Sequence, residues 1–87
     1  MKLFFTESAS RDIQGLSGAI GKRIVRKMQW FAAQDHPLSF AKPLKGKDWG
    51  AYRFRVGDYR VLVDVRRGKI SVLLVLAVRH RRDAYRL

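Results

Sequence analysis

Apolar and basic residues alternate through Tyr52, Arg53, Phe54, Arg55 and Val56, the period-2 pattern of a strand with one buried face. Gly57-Asp58 follows as a two-residue turn, with glycine supplying the positive φ of a type II′ connection. That turn sets the register: Val56 opposes Tyr59, Arg55 opposes Arg60, Phe54 opposes Val61 and Arg53 opposes Leu62. Like charges directly opposed destabilise a sheet by about 0.2–1 kcal/mol. The fold gains nothing from the Arg55–Arg60 pair, which points instead to a polyanionic ligand.

Upstream, Lys2 to Phe5 reads as a short strand. Thr6 and Ser8 both suit a helix N-cap, and Ile13, Leu16, Ile20, Ile24, Met28 and Phe31 then recur at helical spacing. Gly15, Ser17, Gly18 and Gly21 interrupt that stripe, which predicts two helices, residues 8–16 and 18–33, packed as a hairpin. Lys22, Arg23, Arg26 and Lys27 give the second a basic outer face, read equally as a solvated surface or a nucleic-acid contact. Residues 35–50 hold both prolines and little periodicity, so a loop is expected. Three strands follow, 51–56, 59–66 and 69–79. Arg67-Gly68 is read as a second two-residue turn, setting Val65 opposite Ile70 and Val61 opposite Leu74. The order β-α-α-β-β-β with a short C-terminal tail predicts a small single α+β domain over residues 1–87. Its antiparallel sheet carries the helical hairpin on one face.

The pleat separates the side chains. Tyr52, Phe54, Val56, Tyr59, Val61, Val63, Val65, Ile70, Val72, Leu74, Leu76 and Val78 form the expected core face. Arg53, Arg55, Arg60, Leu62, Leu73, Val75 and Ala77 fall opposite. Arg79 joins them if the last strand has no bulge, and three strands then deliver arginines to one place.

Composition agrees with this reading. The chain has 87 residues, 47% of them hydrophobic, enough for one modest core. Nineteen Lys+Arg against seven Asp+Glu give +12, a charge that calls for an acidic partner: nucleic acid, an anionic membrane surface or an acidic protein. Cysteine is absent and the two histidines are isolated, so neither disulfides nor a zinc site is expected, and no cofactor. The opening MKLFFTES is too short for a signal peptide's apolar region, and no apolar run approaches the ~20 residues of a membrane span. The expected location is the cytoplasm.

Two blocks carry a family resemblance across essentially the whole chain. One is Leu44-Lys45-Gly46 leading into YRFRVGDYRVLV; the other is the closing VLAVRHRRDAY. Together they resemble the RelE family of toxin–antitoxin toxins, in the RelE/ParE superfamily. The resemblance implies a ribosome-dependent messenger-RNA endonuclease (an mRNA interferase) that uses the RNA's own 2′-hydroxyl as nucleophile. It also implies an acidic RelB-like antitoxin as partner, in a toxin–antitoxin hetero-oligomer, with the ribosome and mRNA as targets and no membrane. The family's two basic strand positions fall on Arg53 and Arg55, the arginine after the turn on Arg60, a C-terminal arginine on Arg79 and a near-terminal tyrosine on Tyr85.

One departure changes the chemistry. Well-studied members of the family carry lysines at the first two positions, and arginine, unlike lysine, effectively cannot give up a proton. Arg53, Arg55, Arg60 and Arg79 suit stabilisation of a phosphorane, while proton transfer is left to His80 or Tyr85. Lys45, Lys47, Arg81 and Arg82 are candidate RNA contacts. Trp49 is read as a base-stacking ring or a core plug, and His36 as a loop residue. Two other functions remain: a ParE-like inhibitor of DNA gyrase, and a non-catalytic RNA-binding module. The latter would usually present strand aromatics for stacking, and here those fall on the core face.

Overall fold

A computed structural model gives the arrangement, with residues 1–44 and 51–83 described. The chain runs β1 (Lys2–Phe5), α1 (Glu7–Gln14), α2 (Gly18–Ala33), a 3-10 turn (Pro37–Phe40), β2 (Ala41–Pro43), β3 (Ala51–Val56), β4 (Tyr59–Arg66) and β5 (Val72–His80). The two-helix, one-sheet α+β architecture is the one the sequence pattern predicts.

Of the two candidate caps, Thr6 starts α1, its Oγ1 accepting the Ala9 N–H at 3.1 Å. Ser17 caps α2 in the same way through Ile20. Ile24, Met28 and Phe31 form the buried stripe of α2 and meet Phe54, Val61, Val63, Leu73 and Val75 from the sheet. Gly21 lets the helices touch: a Cβ there would stand 3.1 Å from Ile13 Cγ2.

The strand order is β1-β5-β4-β3-β2. The β3–β4 hairpin has the expected register, Arg55 facing Arg60 and Phe54 facing Val61. Gly57 has φ +58 and no other residue among those described has a positive φ, as a type II′ turn requires.

Four expectations need correction. The sheet is mixed, because β1 pairs parallel with β5; no tight turn joins these two strands, so nothing forces them antiparallel. The expected loop contains the 3-10 turn and β2, which pairs with β3 at the sheet edge. An edge position tolerates Pro43, and three residues are too few to display a period. The Arg67-Gly68 turn does not form. Glycine in its second place would need Arg67 also at positive φ, a costly conformation for arginine. Instead β4 and β5 meet at Arg66–Val72, and Val65 faces Leu73 while Val61 faces Val78.

The fourth correction follows from that register. Leu73 and Val75 are fully buried and Ile70 is 58% exposed, so the expected core set on β5 is reversed along its first half. An irregularity then leaves Leu76 as an extra residue, since Val63 pairs with Val75 but Leu62 with Ala77. The bulge restores parity, turning Val78 to the core and setting Arg79 opposite Arg60. The place inferred for Arg79 holds, through a bulge rather than without one.

Candidate functional site

The strand pairings line up Arg55, Arg60 and Arg79 across β3, β4 and β5, on the sheet face away from the helices. A second cationic pair flanks them: Lys42 on β2 faces Arg53 on β3. Phe40, Lys42, Arg53, Arg55 and Arg60 line one cleft of about 300 Å³, and no carboxylate among the described residues joins them. The Arg60 guanidinium is held over the turn, its Nη1 donating to the carbonyls of Gly57 (3.0 Å) and Tyr59 (3.1 Å). One carboxylate of this face, Asp64, sits four residues along β4, ~13 Å from Arg60 at strand rise. Its Oδ2 accepts from Arg66 Nε at 2.7 Å, so this carboxylate serves the far end of the strand.

A cleft of this make-up suits a phosphodiester. Guanidinium groups bind phosphate oxygens bidentately and keep their charge throughout a reaction. Lysine adds a group able to hand over a proton, and an aromatic ring at the rim offers a surface for a base.

Arg79 reaches the row by its backbone, but its guanidinium turns to α1. Nη1 donates to Asp12 Oδ2 at 2.5 Å and to the Val78 carbonyl at 3.0 Å. The same Asp12 oxygen accepts the Val78 N–H at 2.9 Å. The cause lies in the sheet edge: β1 pairs with β5 only as far as Val75, so the next backbone groups need other partners. Thr6 Oγ1 donates to the Leu76 carbonyl at 3.3 Å, and Asp12 serves Val78. Replacing Asp12 with alanine should cost about 1–3 kcal/mol in urea denaturation, since it orphans that N–H and frees Arg79. Asp12→Asn keeps an acceptor and should lose under ~1 kcal/mol. An alanine variant as stable as the parent would show that the clamp carries no stability.

His80 pairs with Tyr59, their rings edge-to-face at 5.4 Å, on the core side of the sheet. Its Nδ1 accepts the Arg82 N–H at 3.2 Å. It therefore stands across the sheet from the arginine row, as strand alternation implies. Arg81 and Arg82 lie exposed in the turn after β5; the Arg81 N–H donates to Asp58 O at 2.7 Å, tying that turn to the β3–β4 turn. Tyr85, Lys45, Lys47 and Trp49 lie outside the described residues.

Lys42 and Phe40 escaped sequence reasoning. Their signal was a two-residue spacing across Ala41, which places both on the cleft side; two nearby prolines masked it.

The chain resembles known toxins along most of its length. A family model described as the ParE toxin of the type II toxin–antitoxin system parDE matches residues 3–85. Toxin RelG of Mycobacterium tuberculosis is 34% identical over 85 residues, spanning 94% of this chain and 92% of that protein. A chain in the crystal structure of the M. tuberculosis toxin–antitoxin complex RelBE2 superposes with a TM-score of 0.74 at 29% identity, covering 92% of this chain and 96% of that one. A chain of the RelB–RelE antitoxin–toxin complex from Methanococcus jannaschii gives 0.67 at 25% identity, with 95% of each chain covered. The chain belongs to the RelE/ParE superfamily and is a toxin of a type II toxin–antitoxin system.

Proposed function

We propose that this toxin is a ribosome-dependent endoribonuclease that cuts messenger RNA in the ribosomal A site. In this reading the RNA's 2′-oxygen passes its proton to a solvent base and attacks the adjacent phosphorus, and the bond to the 5′-oxygen breaks as that oxygen takes up a proton. The products are a 2′,3′-cyclic phosphate and a 5′-hydroxyl. Arg53, Arg55 and Arg60 stabilise the charge that builds on the phosphorane oxygens. Lys42 is the proton-moving group among the cleft cations and protonates the leaving 5′-oxygen. Arg79, Arg81 and Arg82 extend the positive surface past the end of β5, while Tyr85 offers a ring to stack a base and a hydroxyl to move a proton. An acidic RelB-like antitoxin is the proposed partner that silences the site.

The observation that carries this reading is the convergence of four cations and an aromatic ring in one cleft free of described carboxylates. With no paired acid and base among the described residues of that cleft, alignment falls to the ribosome, and naked RNA is a poor substrate. A second reading, inhibition of DNA gyrase, draws on the ParE description of the matched family. Primer extension on mRNA from ribosomes stalled by the toxin separates the two. Breaks within A-site codons are the expected result; intact transcripts accompanied by gyrase-trapped DNA breaks would replace the first reading with the second.

A further inference from the structure

A second groove, of about 640 Å³, lies between α2 and the β3–β4 turn, lined by Lys22, Arg23, Arg26, Lys27, Trp30 and Arg55 among others. The Arg23 guanidinium packs on the turn itself, for a Cβ on Gly57 would stand 3.0 Å from its Nη2. No carboxylate among the described residues lines this groove either. The two hollows share Arg55, and an aromatic ridge separates them: Trp30, in the groove, meets Phe40, in the cleft, edge-to-face at 5.2 Å. Both rings are 46% exposed, although each is large and apolar. Phe40 leans on Phe31 at 5.4 Å, which braces the ridge from below, and Lys27 Nζ sits 4.5 Å from the Trp30 ring centroid.

Half-exposed aromatics between two basic hollows match the chemistry of single-stranded nucleic acid. Stacking on a ring is indifferent to sequence, and flanking cations hold the phosphates on either side. A folded polyanion such as a duplex would satisfy the cations and leave the rings uncovered. We propose that the Trp30–Phe40 ridge is a base-docking ledge. It carries a single RNA strand from the cleft, past Arg55, into the α2 groove. The proposal rests on RNA being the ligand of the cleft. It gives the basic face of α2 a role in holding nucleotides that flank the cut.

The test uses the full-length toxin and a labelled six-nucleotide 2′-O-methyl RNA, which binds without being cut, followed by anisotropy across a salt series. Phe40→Leu keeps an apolar side chain against Phe31 but removes the ring, and should weaken binding roughly tenfold with the salt slope unchanged. Phe40→Tyr should bind as the parent does. Lys22→Gln combined with Arg26→Gln should lower the log–log salt slope by about 1–1.5, as for two lost phosphate contacts on a single strand. Melting curves on the same samples exclude unfolding as the cause. Unchanged affinity and slope in these variants, or no RNA binding by the parent at low salt, would overturn the ledge. So would a loss confined to an acidic antitoxin peptide, which would assign the surface to that partner. Primer extension with the same variants keeps the two proposals apart. Parental cleavage with parental binding removes the ledge alone; ledge-dependent binding without cut transcripts removes the endonuclease alone.

Discussion

Arg60→Ala should lower single-turnover cleavage on programmed ribosomes by roughly 10²–10³-fold, the loss of one preorganised donor to a developing oxyanion. Arg60 stands between Arg55 and Arg79 in the cross-strand row and lines the cleft with Lys42 and Arg53. Its two bonds to the turn carbonyls fix the guanidinium before any RNA arrives, so little ordering is left for the moment of reaction. Stability should change by about 1 kcal/mol or less, because two partly exposed hydrogen bonds are lost while repulsion from two flanking arginines is relieved. Cleavage at the parental rate by a folded Arg60→Ala protein would remove this residue from the chemistry.

The second large effect belongs to Phe54. It is fully buried, its ring 4.8 Å from that of Phe31, and it sits between Arg53 and Arg55 on β3. Phe54→Ala should destabilise the fold by about 3–5 kcal/mol in chemical denaturation, a large share of the ~5–15 kcal/mol available to a domain. Phe54→Leu, closer in volume, should cost less than about 1.5 kcal/mol. Activity should follow stability in the alanine variant, since the strand that aims two cleft arginines is anchored there. An alanine substitution costing under 1 kcal/mol would mean that the Phe31–Phe54 contact is not the keystone of the core.

These residues also show what the sequence could disclose. The β3–β4 hairpin was legible because Gly57-Asp58 places glycine first in the turn, and turn chemistry then dictates every pairing along both strands. Arg67-Gly68 looks similar in composition, yet with the glycine second it does not form a turn, and the register of β5 moved with it. A bulge at Leu76 cannot be seen in a run of Val, Leu and Ala, because every parity of such a run looks apolar. The Asp12 clamp was invisible for a different reason: its partners lie 66 and 67 residues away, and no local pattern links a helix carboxylate to an unpaired strand N–H. Phe40 ends the 3-10 turn and Lys42 lies in a strand of three residues, so the two span a change of element too short for alternation to be recognised.

The most direct test of the central claim is single-turnover cleavage on programmed ribosomes with either ribose or 2′-deoxyribose at the nucleotide preceding the scissile bond. The expected result is a cut ending in a 2′,3′-cyclic phosphate for ribose, no cut for 2′-deoxyribose, and equal toxin binding to both ribosomes. Cleavage of the 2′-deoxy message at the ribose rate would contradict internal attack, and an uncut ribose message would contradict the endonuclease itself.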